Sequence, residues 1–203
     1  MKSKISIWLF VAGVVSVPLC VFAVIKWHEN KYQALPVLGP PNHTIRAFTV
    51  MDQHGNKVTE KSWDNKIVVA NFFFTHCPVV CPKMVRQLKR VQTFAGKDIL
   101  ISSFSVDPER DSVQVLKRYA GKHDIAHNWL LLTGNKKEIY LLARKDLLVL
   151  ATDGDGGAED FIHSDNLVLI DTERHIRGFY KGTNENDVNQ LINDIKKLSK
   201  EVK

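Results

Sequence analysis

The segment that most narrows the fold is Ile67-Val68-Val69-Ala70-Asn71-Phe72-Phe73-Phe74, a nearly continuous apolar run, β-branched and then aromatic. A run without polar alternation is expected of a strand buried on both faces, in a sheet covered by other layers. Strands and helices alternate around it. Arg46 to Met51 and Lys57 to Thr59 flank Gln53-His54-Gly55-Asn56, a good hairpin turn. Ile99 to Val106 reads as a second central strand, Trp129 to Leu132 as another, and Leu147 to Ala151 as a short strand or extended segment. Asn166 to Asp171 and His175 to Lys181 form a further hairpin, turning at Thr172-Glu173-Arg174. Helices are expected over Lys83 to Phe94, where Met84, Leu88 and Val91 share a face, and over Ser112 to Ala120, Lys136 to Ala143 and Asn186 to Lys197. A βαβ unit followed by a hairpin and a closing helix is an α/β fold with a mixed central sheet flanked by helices.

The amino-terminal part differs in kind. Ile5 to Ile25 contain no charged side chain, and about 20 apolar residues suffice to cross a bilayer as a helix. Lys2 and Lys4 precede the run, which favours a cytoplasmic amino end, although Lys26 and Lys31 follow it. A cleaved signal peptide ending near Val21-Phe22-Ala23 is the alternative; the length of the run favours an anchor. Cys20 then counts as one more apolar residue. The expected organisation is a cytoplasmic end over 1–4, a transmembrane anchor over 5–25, a linker over 26–44 and a globular domain over 45–203. Pro36, Gly39, Pro40 and Pro41 mark the linker.

Charge excludes more than it suggests. Lys plus Arg number 28 against 22 Asp plus Glu, a net +6. The cations are dispersed along the chain among acidic residues, so they read as a solvated surface, with no nucleic-acid partner expected. Only three cysteines exclude a small disulfide-built scaffold.

Chemistry concentrates after the strongest strand, in Thr75-His76-Cys77-Pro78-Val79-Val80-Cys81-Pro82. Each cysteine precedes a proline, which disfavours helical geometry at both. Pro82 suits a first helical position, so the helix is expected to start there and to leave Cys77 to Cys81 as a compact loop. Cys81 would then face the positive end of the helix dipole, where thiolates are favoured. The plainer alternative is a pair of buried apolar cysteines or a stabilising disulfide.

These residues carry a resemblance. Phe74-Thr75-His76-Cys77-Pro78-x-x-Cys81-Pro82, then Ser105-Val106-Asp107-Pro108-Glu109-Arg110-Asp111, then Phe161-Ile162-His163-Ser164-Asp165 before an apolar run, resemble the Sco/SenC family of copper proteins over roughly Ile45 to the end. That resemblance implies a membrane-tethered, thioredoxin-like domain that helps assemble cytochrome c oxidase. It implies one copper ion, Cu(I) or Cu(II), held by Cys77, Cys81 and His163, with Asp107 near the site. It further implies delivery to an oxidase subunit carrying CuA, a copper donor or thiol reductant upstream, and a location at a bacterial inner membrane, single-pass, with the domain on the periplasmic side. The acidic, Gly-rich stretch Asp153 to Asp160 is not matched to the family. The ligand chemistry agrees, because two thiolates and an imidazole form a soft set suited to copper. Zinc is the rival ion. Metal capture needs both sulfurs reduced, so Cys77 and Cys81 are also a redox pair whose disulfide would switch the site off.

A thiol–disulfide oxidoreductase without a metal role is the main alternative, and a chaperone with some thiol-reductase activity lies between the two. Oxidoreductases of this fold usually carry C-x-x-C and a cis-proline opposite the cysteines, whereas this chain has C-x-x-x-C and its last proline is Pro108. A peroxiredoxin pattern is absent around Cys77, and a purely structural tether would make both cysteines dispensable. His76 is expected beside the site or in solvent. His28, His43, His54, His123, His127 and His175 have structural positions. Asp153-Gly154-Asp155 lacks the remaining spacing of a calcium loop.

Overall fold

The computed structural model describes residues 2–32, 34–149 and 164–201, with side chains of the first segment described over 12–27. The chain divides into two compact units, Met1–Ala34 and Leu35–Lys203.

The first unit is helix α1 (Lys2–Tyr32), which contains Pro18. It corrects the expected transmembrane anchor over 5–25, together with the membrane attachment and single-pass inner-membrane location that depended on it. Among the described residues no helix is long and apolar enough to cross a membrane.

The second unit is built on a mixed sheet. Its order is β5 (Trp129–Leu132), β4 (Ile99–Ser105), β3 (Ile67–Phe73), β6 (Asn166–Ile170), β7 (Ile176–Lys181). The β3, β4 and β5 strands run parallel, from Ile67 opposite Ile99 to Phe73 opposite Ser105; β6 is antiparallel to β3, and β7, antiparallel to β6, returns to the direction of β3. All seven residues of β3 are buried, as the unbroken apolar run requires. The one polar residue in it, Asn71, accepts a hydrogen bond from Ser103 Oγ at 2.6 Å, and Ser103 Oγ in turn accepts from Trp129 Nε1 at 2.8 Å.

Strand periodicity sorts the core into two layers. Val68, Ala70 and Phe72 face the hairpin of β1 (Thr49–Met51) and β2 (Lys57–Thr59), Trp63 and helix α4 (Lys136–Leu141). Ile67, Val69 and Phe73 face helices α2 (Val80–Phe94), α3 (Val113–Lys122) and α5 (Glu185–Glu201). This is the expected thioredoxin-like α/β arrangement.

Several boundaries move for identifiable reasons. Helix α2 starts at Val80, ahead of Pro82. The first four amides of a helix lack an internal acceptor, so a proline at the third position forfeits no helical bond. Helix α4 continues as a π-turn over Leu142–Asp146, with Leu147 N donating to Leu142 O and Val149 N to Ala143 O. Residues 147–149 accordingly form no strand, and 150–151 lie outside the described residues. Helix α5 starts at Glu185 because Asn184 Oδ1 caps it, accepting from Asn186 N at 2.8 Å and Asp187 N at 3.4 Å.

Leu88 is 1% exposed and anchors α2 on the sheet. Leu88→Ala is expected to lower the unfolding free energy by about 2–5 kcal/mol, read as a shift of the urea midpoint at constant slope. An unchanged midpoint would mean that α2 does not carry the packing described.

Candidate metal centre

Parallel strands β3 and β4 end at the same edge of the sheet, and antiparallel β6 begins there. The loop after β3 carries Cys77, the first turn of α2 carries Cys81, and Ser164 to Asn166 open β6. These segments line one cavity of about 760 Å³, floored by Phe72, Phe73 and Val106. Thr183 Oγ1 donates to Asp165 Oδ2 and Gly182 N to Asp165 O at 2.7 Å, which holds the β6 side of the rim.

The cysteines are both free thiols and they differ sharply. Cys81 is buried and Cys77 half-buried. Cys81 N donates to Cys77 Sγ at 3.2 Å, so the sulfur serves the opening turn of α2 as an acceptor in the absence of a side-chain cap. Partial burial opposes ionisation of Cys77. Hydrogen bonds from the Cys81 amide, the Cys81 thiol and the Val79 and Val80 amides outweigh it and hold Cys77 below the ordinary thiol range. Burial pushes Cys81 up to about 12; a backbone hydrogen bond from Phe74 offsets part of this, while Cys77 and Asp111 add to it. This reverses the expectation that Cys81 would be the thiolate favoured by the helix. The donors converge on the sulfur before the helix rather than on the one inside it.

Asp111 is the residue that sequence reasoning passed over. Its carboxylate is fully buried and accepts from Thr75 N at 3.1 Å, Thr75 Oγ1 at 2.5 Å and Ser105 Oγ at 2.5 Å. It therefore ties the Cys77 loop to the end of β4. Its place at the close of Asp-Pro-Glu-Arg-Asp, one residue before the Ser112 cap of α3, was the only signal available. Asp107 instead forms the turn into α3: its carbonyl accepts from Arg110 N and Asp111 N, and its carboxylate lies 3.8 Å from Arg110 Nε. It is not among the residues lining the cavity. His76 is exposed, with Nδ1 3.0 Å from Thr75 Oγ1. Tyr119, packed on Phe73 at 5.7 Å between ring centroids, has its hydroxyl pKa raised by burial first and then by both thiols and Asp111.

His163 and the 153–160 loop lie outside the described residues. Among the described residues no group of three or more His, Cys, Asp or Glu is placed to hold a metal. What the structure brings together is the cysteine pair and Ser164, the residue next to His163, at one cavity.

The match to the SCO1/SenC family covers residues 38–200. The chain belongs to that family. It is 30% identical over 165 residues to the SCO1 protein homolog of Bacillus subtilis, covering 79% of this chain and 85% of that protein. The solved structure of BsSco, a member of the Sco family of cytochrome c oxidase assembly proteins in which a disulfide switch was identified, is 28% identical. It superposes with a TM-score of 0.65 over 81% of this chain and 98% of its own. ScoI of Bradyrhizobium japonicum with copper bound is 26% identical, with a TM-score of 0.61 over 76% of this chain and 99% of its own.

Two outcomes follow for the thiols. Iodoacetamide near neutral pH is expected to label Cys77 well before Cys81, by peptide mass spectrometry. The Cys77 rate should rise with pH to a midpoint below the ordinary thiol range, while Cys81 stays protonated until pH approaches about 12. Asp111→Asn removes a negative neighbour and should lower the Cys81 midpoint in a thiolate absorbance titration. It should also destabilise the domain by about 1–3 kcal/mol, because the Thr75 and Ser105 donors lose a charged acceptor. Equal labelling of both cysteines would contradict the asymmetry.

Proposed function

We propose that this SCO1/SenC protein is a copper chaperone: it takes up one copper ion as cargo through Cys77, Cys81 and His163 and delivers it to cytochrome c oxidase, at the CuA-bearing subunit. The observation that carries the proposal is the shared cavity, with both thiols on one side and the residue following His163 on the other. The donor set fits the cargo, since two sulfurs and an imidazole suit copper better than harder ions. The copper-bound ScoI relative and the oxidase-assembly relative support the same cargo and recipient. Release would proceed by ligand exchange, with incoming thiolates replacing Cys77 and Cys81 one at a time. Cys77, half-exposed and more acidic, is the sulfur that meets an incoming ligand; Cys81, buried, holds on longer. Protons lost by the thiols on loading return on release, so loading is favoured by rising pH.

The asymmetry of the thiols also supports a second reading, thiol–disulfide exchange, in which Cys77 attacks an exported disulfide and Cys81 resolves the mixed disulfide. The pair would then emerge oxidised and require an external dithiol to be reduced again.

An anaerobic Cu(I) titration of the reduced chain separates the two. One tight equivalent is expected, lost in Cys77→Ser and Cys81→Ser. His163→Ala should weaken binding and alter the Cu(II) spectrum. Absence of specific uptake, with the disulfide still cycling, would replace the chaperone reading by the oxidoreductase one.

A further inference from the structure

Charge that is dispersed along the sequence is gathered in space. Helix α2 contains Lys83, Arg86, Lys89 and Arg90 and no acidic residue, and α3 contains Lys117, Arg118 and Lys122 and none. The whole chain is +6, so these two helices account for all of its excess positive charge. Both pack on the same face of the sheet. Lys89 donates to the Asp124 carbonyl at 2.6 Å, and Arg90 reaches Gln87, Asn189 and, at 3.8 Å, Glu185. The other five are exposed, and among the described residues they have no ion-pair partner. Arg118 and Lys122 border a depression shared with Thr75 and His76, directly beside the Cys77 loop. The tip of that loop is apolar and open to solvent, with Val79 58% and Val80 40% exposed.

We infer that the α2–α3 face is a docking surface for an acidic protein, whose carboxylates meet Arg86, Arg118 and Lys122 while an apolar centre covers Val79 and Val80. This deepens the chaperone reading and rests on it for one step: ligand exchange requires the recipient to bring its own ligands to Cys77, and hence to sit where the cations are. An anionic lipid surface would satisfy the charges but offers no ligand to a departing metal. An apolar centre within a charged rim is also the ordinary anatomy of a protein interface. Complementary charge on such a rim raises the encounter rate and orients the partner more than it adds to final affinity.

The test uses the full chain, reduced and metal-free, so that it does not depend on copper uptake. The probe is a fluorescent peptide with a short valine centre flanked by glutamates, compared by anisotropy with the same peptide flanked by lysines. At low salt the glutamate peptide should bind at least about tenfold more tightly, and the preference should fall as salt is raised. Arg86→Glu/Arg118→Glu/Lys122→Glu should abolish the preference. Lys57→Glu/Lys61→Glu/Lys137→Glu, with the same change in net charge at exposed sites elsewhere, should retain it. Should the triple reversal perturb the far-UV circular dichroism, the triple glutamine variant serves instead and should lose most of the preference. Equal loss in both triple variants would reduce the effect to net charge and overturn the inference. So would weak, unselective peptide binding alongside tight binding to phosphatidylglycerol vesicles, which would make the face a lipid contact. Copper uptake without peptide selectivity would defeat the docking surface alone, and selectivity without copper uptake would defeat the chaperone reading alone.

Discussion

Strand β3 has no solvent face and no free edge: its seven residues are all buried, with β4 on one side and β6 on the other. A strand so enclosed cannot slip by one residue without driving Asn71 into the opposite layer, away from Ser103. Its end point is therefore specified, and so is the origin of the Cys77 loop. Because β4 is parallel and β6 antiparallel to it, the loop after β3, the turn after β4 and the segment entering β6 meet at a single edge of the sheet. The crevice at the carboxyl ends of parallel strands is where such sheets build sites, and here it receives Cys77, Val106 and Ser164 from three distant stretches of chain.

At that edge the needs of a helix terminus and of a thiol coincide. The opening amides of α2 have no acceptor within the helix and no side-chain cap. Cys77 Sγ takes the Cys81 amide and is stabilised as an anion by it, while Cys81, within the first turn of the helix, is desolvated without equivalent relief. One sulfur is thus accessible and acidic and the other buried and reluctant to ionise. That division suits stepwise exchange of a soft ion, and equally suits attack and resolution in disulfide chemistry. Asp111 holds the geometry by joining Thr75 to Ser105 through a carboxylate shut off from water.

The proposed docking surface and the proposed copper site occupy different parts of the same surface. The sulfurs lie within a largely apolar cavity, whereas the cations stand outside it along α2 and α3. On the proposed chaperone reading, a charged rim attracts a partner without placing positive charge among the sulfurs proposed to take the copper. Lys83, which lines the cavity, is the one exception.

Much of this was legible from residue order because it depends on local rules. The apolar run of β3, the amphipathic closing helix and the hairpin turning at Thr172-Glu173-Arg174 all follow from periodicity and turn chemistry. The Cys-Pro-x-x-Cys-Pro segment and its family likewise need no coordinates. The start of α2 and the identity of the more acidic cysteine were misread, because both depend on which atom collects the orphan amides of one helical turn. The apolar run at the amino end suggested a span that the described helix does not provide. Asp111 was hidden because burial and three hydrogen bonds, rather than spacing, give a carboxylate its role. The basic face was hidden for a related reason: α2 and α3 are separated by a strand in sequence, and only two crossovers onto the same side of the sheet make them neighbours. Sequence alone determined the elements and the kind of chemistry they carry. Tertiary structure decided which sulfur, which carboxylate and which charges act together, because electrostatics and desolvation depend on distance in space rather than along the chain.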